Sequence, residues 1–110
     1  MKLPNAQMAV IDQAKLVDYL LNVDHLYGGP KAGLLRSLGY AVDEWRQLEL
    51  DIRTQLLVHD VALARETPWG VRYEIVAPLV GPAGKTVQFR SIWQIDRGTD
   101  APRLITMYPE

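Results

Sequence analysis

One histidine, one lysine and a group of arginines and hydroxyls carry the acid–base and phosphate chemistry open to this chain. His25 lies in the loop Val23 to Gly29, six residues before Lys31 at the opening of a predicted helix. A histidine near neutrality serves as general acid or base, and a nearby lysine holds a phosphate. The alternative is a loop histidine that only shapes the backbone beside a glycine turn. Toward the C-terminus, Arg72 and Glu74 sit on one predicted strand, Gln88, Arg90 and Gln94 on the next, and Arg103, Thr106 and Tyr108 on the last. If Arg72, Arg90, Glu74 and a residue of the last strand converge, the open face of the sheet is a cationic clamp beside a carboxylate. Such a surface suits a phosphodiester, with arginines stabilising charge as it develops and a carboxylate or histidine moving protons. The competing reading is a one-sided sheet that wets its outer face with Arg, Glu and Gln.

Other chemistries find little support. Gly28-Gly29-Pro30-Lys31 lacks the glycine spacing and the Lys-Ser/Thr ending of a phosphate-binding loop. There is no cysteine, so disulfides, thiolate nucleophiles and cysteine-ligated zinc are out of reach. The two histidines, His25 and His59, have no ligand spacing, and neither a metal nor a cofactor is expected. Ser37 and Ser91 are the only serines, and neither stands in a nucleophile elbow. His59 is expected to cap the end of a helix or to be partly buried there. Trp45 and Trp93 fall in phase with apolar stripes and read as core. Trp69 stands in a turn, where burial is not implied, and is a candidate contact for a partner.

The elements that must position these residues are legible from periodicity. Residues 70–77, 85–95 and 103–108 read as three consecutive strands joined by the turns Gly81-Pro82-Ala83-Gly84 and Gly98-Thr99-Asp100-Ala101-Pro102. In the first, Val71, Tyr73, Ile75, Ala77 and Leu79 share the core face. In the second, Val87, Phe89, Trp93 and Ile95 do. The third is ambiguous: Leu104, Thr106 and Tyr108 share one side, and Arg103, Ile105 and Met107 the other. Three helices are predicted upstream. Asp12 caps the first, whose stripe is Leu16, Val17, Leu20 and Leu21, and Pro30 opens a short second that ends at Gly39. Asp43 caps a longer third with Trp45, Leu48, Ile52 and Leu56 at helical spacing. Residues 61–65 are a candidate for a further short strand before the Thr67-Pro68-Trp69-Gly70 turn. The expectation is an α+β fold: about three N-terminal helices packed on one face of a three- to four-stranded antiparallel meander at the C-terminus. The chain reads as one domain over 1–110, with an extended arm at 1–11, a helical part at 12–60 and a sheet at 61–110.

Composition sets the class. At 110 residues, 48% hydrophobic and 23% charged, the chain is large enough for a single core. Twelve Lys plus Arg stand against thirteen Asp plus Glu, so the basic excess of a stable duplex binder is missing, although an enzyme that touches a few phosphates transiently remains open. Near-neutrality also removes one brake on self-association, so a homodimer is compatible with it. Neither a secretory signal nor a membrane-spanning run is seen, and a cytoplasmic protein is expected.

Across nearly its whole length the chain resembles a family of short, uncharacterised bacterial domains. The likeness is carried by Leu3-Pro4-Asn5-Ala6, Tyr19-Leu20-Leu21-Asn22 and His25 with the glycines before Lys31-Ala32. It continues through Leu38-Gly39, Gly70-Val71-Arg72-Tyr73, Arg90-Ser91-Ile92-Trp93 and the ending from Pro102 to Pro109. Related segments occur alone and attached to larger phage or toxin-like proteins. More remotely, helices followed by a small antiparallel sheet resemble the barnase, EndoU, colicin and RelE-like toxin nucleases, which use a histidine or lysine of the helical region with basic and hydroxyl residues of the strands. That resemblance implies site positions at His25, Lys31, Arg90, Arg103, Thr106 and Tyr108.

Two functions are therefore expected. The first is a metal-independent ribonuclease-like toxin of a toxin–antitoxin or phage-related system, with RNA as substrate. His25, Lys31, Arg90, Thr106 and Tyr108 would carry the chemistry, and Arg72, Glu74, Gln88 and Arg103 would hold substrate. The second is a non-catalytic interaction module, an antitoxin, immunity or phage accessory protein, whose partner-binding face includes Trp69. A cognate antitoxin or other small protein is the expected partner in either case.

Overall fold

The computed structural model describes residues 1–25 and 29–110; Leu26, Tyr27 and Gly28 of the loop before the second helix lie outside the described residues. The fold is α+β, with helices first and a four-stranded antiparallel sheet after them. The strands are β1 (Leu63–Thr67), β2 (Gly70–Val80), β3 (Thr86–Asp96) and β4 (Arg103–Pro109), and they pair in chain order as a meander. Short turns dictate this order, because antiparallel neighbours need only a tight reversal between them. Pro78 is tolerated inside β2 because β1 pairs no further along it than Glu74, so that end of β2 has a free edge.

Alternation in β2 and β3 puts Tyr73, Ile75, Ala77, Leu79, Phe89, Ser91 and Trp93 against the helices, all of them buried. The Trp93 indole N–H donates to Ser91 Oγ at 2.9 Å, which satisfies both groups inside the core. Arg72 faces Gln94, and Glu74 faces Ile92, on the outer side. Gln94 is nevertheless buried, because it is tied to Arg72 and to Asp96.

The last strand resolves its own ambiguity with an irregularity. Ile92 pairs with Thr106 but Trp93 pairs with Leu104, so Ile105 is an extra residue that interrupts alternation. Leu104 and Met107 are therefore both buried, although they have opposite parity. Thr106 and Tyr108 pair with Ile92 and Arg90, and so share the outer face.

Three helical segments cover the inner face. The first, Lys15–Leu20, is wound wide: the Leu21 N–H donates to Leu16 O, five residues back, at 2.8 Å. Asp12 opens this helix through its backbone carbonyl, and its side chain does not cap. The second runs over Gly29–Ser37 and ends at Gly39, whose φ of 104° is strained for any side chain. The third, Trp45–Asp51, continues as a wide turn over Ile52–Leu56. Asp43 does not cap it; the residue lies within a tight turn, Val42–Glu44, that follows Ala41. Leu16, Leu20, Leu35, Leu38, Leu48, Ile52 and Leu56 form one core with the sheet. Trp45 is only part-buried, with the Arg46 guanidinium 4.4 Å over its ring, and His59 is exposed rather than partly buried. No helix among the described residues is long and apolar enough to cross a membrane.

The first residues lie along the body. Val10 bridges β4 in parallel, its N–H donating to Pro102 O at 2.8 Å and its carbonyl accepting from the Leu104 N–H at 3.0 Å. Leu3, Ala9 and Ile11 are buried beneath this stretch.

Candidate functional site

The wide winding of the first helix, the opening of the second and the irregular β4 bring three polar side chains to one point. Lys31 Nζ donates to Tyr19 Oη at 2.6 Å and to Thr106 Oγ1 at 3.0 Å, and the two acceptors are 3.3 Å apart. These residues are distant in sequence, with Tyr19 and Thr106 separated by 87 positions. Lys15 lies 5.2 Å from the centroid of the same tyrosine ring, one helical turn before it. His25 packs edge-on against Tyr19, with ring centroids 4.8 Å apart and planes at 90°. The His25 backbone is fixed as well, its N–H donating to Asn22 O and its carbonyl accepting from the Gly29 N–H. Tyr108 completes the group, with its ring centroid 6.0 Å from Lys31 Nζ.

Electrostatics follow from this geometry. Partial burial alone pushes the Tyr19 phenol up. Hydrogen bonds from Lys31 and Thr106, with the charges of Lys31 and Lys15, more than offset burial and bring it below its ordinary value. An ammonium held between two hydroxyl oxygens, with a histidine ring within reach, can bind a phosphoryl oxygen and pass protons on either side of it.

The sheet arginines stand beside this cluster but are already engaged. Arg90 pairs with Tyr108 across β3 and β4. Its guanidinium donates to Glu74 at 2.7 Å and to both Glu110 oxygens at 3.0 and 2.8 Å. Arg103 holds Asp96 at 2.7 and 3.2 Å. The outer face is thus a set of ion pairs rather than an open cationic clamp. Arg72 is different: its Nη2 donates to Gln94 Oε1 at 3.2 Å, while its buried Nε has no partner. Gln88 is exposed and joins the site only through its backbone carbonyl, which accepts from the Glu110 N–H. Trp69 is 71% exposed at the β1–β2 turn and stands apart from the Lys31 cluster. Among the described residues no group of three or more His, Asp or Glu side chains could hold a metal ion.

The family model described as Domain of unknown function (DUF6883) matches residues 2–110. The chain belongs to this family. No curated protein matches it. Among solved structures it is similar to a chain of the contact-dependent growth inhibition toxin–immunity protein complex from Klebsiella pneumoniae 342. The TM-score is 0.74 at 19% sequence identity, over 92% of this chain and 99% of that chain. At that identity the likeness is one of fold. In this DUF6883 domain His25, Lys31, Thr106 and Tyr108 gather at one point, with Arg90 beside Tyr108. Arg72, Glu74 and Arg103 lie along the outer face of the sheet, bound to Gln94, Arg90 and Asp96 respectively. Tyr19, at the centre of the cluster, did not stand out in the sequence as a chemical group. The one signal for it was Lys15 four residues earlier, which places a cation on the same helix face.

Proposed function

We propose that this domain is a metal-independent endoribonuclease-like toxin that acts in the bacterial cytoplasm and is restrained by a small cognate protein. The observation that carries the reading is Lys31 donating to both Tyr19 and Thr106 with the His25 ring packed against that tyrosine. Attack of a ribose 2′-hydroxyl on the adjacent phosphate needs a phosphate anchor, stabilisation of charge on the phosphoryl oxygens and proton transfer, all within the means of these side chains. In this reading Lys31 binds the scissile phosphate, Thr106 and Tyr108 position it and the ribose, and His25 protonates the departing 5′-oxygen. Arg72, and Arg90 and Arg103 once RNA displaces their carboxylate partners, hold neighbouring phosphates, with Glu74 and Gln88 orienting them. The fold likeness to a toxin–immunity complex supports a partner of that kind.

The test is induced expression in bacteria of the chain and of folded His25→Ala and Lys31→Ala versions. Growth arrest with RNA cleavage that both variants lose is the expected result; normal growth with intact RNA from well-folded protein overturns the proposal.

One feature favours the second reading, a non-catalytic antitoxin, immunity or accessory module. Arg90 and Arg103 are neutralised by carboxylates while Trp69 lies open, a combination that suits a protein partner better than a polyanion. That module would form a stable complex, weakened by Trp69→Ala, and would leave RNA uncut.

A further inference from the structure

Tyr19 has surroundings that packing alone does not require. It is only half-buried, yet its oxygen accepts a hydrogen bond from the Lys31 ammonium at 2.6 Å and lies 3.3 Å from the Thr106 hydroxyl. A second cation, Lys15, lies against its ring, and His25 covers the ring's flank. A surface tyrosine that served only the core would bury its ring and leave its hydroxyl to water. Here an ammonium donates to that hydroxyl and the Thr106 hydroxyl, able to donate or to accept, lies beside it; the negative form of the phenol would accept from both. An oxygen accepting two such donors still has a lone pair for a third proton.

We propose that Tyr19, as the phenolate, accepts the proton of the attacking ribose 2′-hydroxyl, while Lys31 and Thr106 donate to its oxygen. The inference rests on the ribonuclease reading above and gives it a base to complement its acid. The 2′-O–H bond breaks and its proton passes to Tyr19 Oη. The 2′-oxygen bonds to phosphorus as the bond from phosphorus to the 5′-oxygen breaks, and the imidazolium of His25 delivers its proton to that departing oxygen. The products are a 2′,3′-cyclic phosphate and a 5′-hydroxyl. Tyr19 then loses its proton to water and His25 regains one, so the cycle closes without metal, oxidant or reductant. The depression of the Tyr19 phenol below its ordinary value, against the effect of burial, supports the same role.

The two proton-transfer roles separate by chemistry. Single-turnover cleavage is measured on a single-stranded RNA oligonucleotide, and on the same RNA with sulfur replacing the 5′-bridging oxygen at one linkage. A thiolate leaves without a proton, so the modified RNA bypasses the acid but not the base. Tyr19→Phe keeps the ring against His25 and is checked for folding by its melt. It is expected to slow cleavage of both RNAs by roughly 100-fold or more, the range of general acid–base catalysis. His25→Ala is expected to slow the all-oxygen RNA and to recover on the sulfur-substituted one. An unchanged rate for Tyr19→Phe, or its rescue by sulfur, overturns the assignment while leaving the ribonuclease reading intact. Cleavage of neither RNA by the wild-type protein overturns both.

Discussion

Asp51 is the place where a single substitution is expected to cost most outside the apolar core. The residue is 8% exposed, and its carboxylate accepts from Tyr40 Oη at 2.7 Å and from Gln47 Nε2 at 2.9 Å. Tyr40 is itself buried and follows the helix that carries Lys31, so this bond ties that helix to the third one. In Asp51→Ala the Tyr40 hydroxyl loses its acceptor in a place closed to water. Leaving one buried polar group unsatisfied costs about 1–3 kcal/mol, and a hydrogen bond to a charged group contributes about 1.5–3 kcal/mol. These are two views of one loss, so the expected destabilisation is about 2–3 kcal/mol. Tyr40→Phe removes only the donor and leaves Asp51 its bond from Gln47, for an expected loss of about 1–1.5 kcal/mol. The double variant leaves no orphaned hydroxyl and is expected to be no less stable than Asp51→Ala alone. Urea unfolding followed by far-ultraviolet circular dichroism at neutral pH gives all three values. A loss below about 0.5 kcal/mol for Asp51→Ala, or strict additivity in the cycle, would show that the Tyr40–Asp51 bond does not hold the two helices together.

Three further outcomes follow from the same structure. Burial first, and then the hydrogen bond and charge of Asp51, hold the Tyr40 phenol well above its ordinary value. The folded protein thus resists an ionisation that the unfolded chain undergoes: the stability involved is intact below about pH 10 and declines as pH rises beyond it. Melting temperatures across that range should fall, and less steeply in Tyr40→Phe; equal slopes would count against it. Lys31→Met removes a cation from a half-buried site, so thermal stability should stay within about 1 kcal/mol or rise. RNA cleavage by the same variant should fall by about 100-fold or more, as for a lost charge-stabilising donor; a folded Lys31→Met that cleaves normally would dismiss Lys31 from the chemistry. Gly81 is buried where a Cβ would strike the Leu38 backbone, whose carbonyl accepts from the Ala83 N–H at 2.9 Å. Gly81→Ala should destabilise by about 1–3 kcal/mol, and an unaltered melt would show that the hairpin can shift.

The sheet was largely legible because burial alternates along β2 at Tyr73, Ile75, Ala77 and Leu79, and because Phe89 and Trp93 keep that phase in β3, although Ile92 and Gln94 there are buried too. The helical stripes were legible for a similar reason, since Leu16 and Leu20, or Leu48, Ile52 and Leu56, recur at helical spacing. The fourth strand was not, because one extra residue reverses parity at a small local cost and nothing in Arg103 to Tyr108 announces which residue is extra. Alternation identified which side of the sheet Arg90 occupies, but not the side of Arg103 or the partners of either. Glu74, Glu110 and Asp96 claim them through pairings that only the assembled sheet fixes. The caps at Asp12 and Asp43 were misjudged, since backbone carbonyls and a tight turn open those helices without a side-chain bond. The role of Tyr19 was not legible for a further reason: it depends on Lys31 and Thr106, which meet the tyrosine only after the helices dock on the edge of β4.

In the proposed function the cluster of Lys31, Tyr19, Thr106 and His25 cleaves RNA by internal attack. Its most direct test is incubation of the purified chain with bacterial total RNA in excess chelator, followed by mapping of the new ends. The expected result is discrete cuts that leave 2′,3′-cyclic phosphates and 5′-hydroxyls, absent with folded His25→Ala and Lys31→Met. Intact RNA, or cuts that end in 3′-hydroxyls and 5′-phosphates, would contradict it.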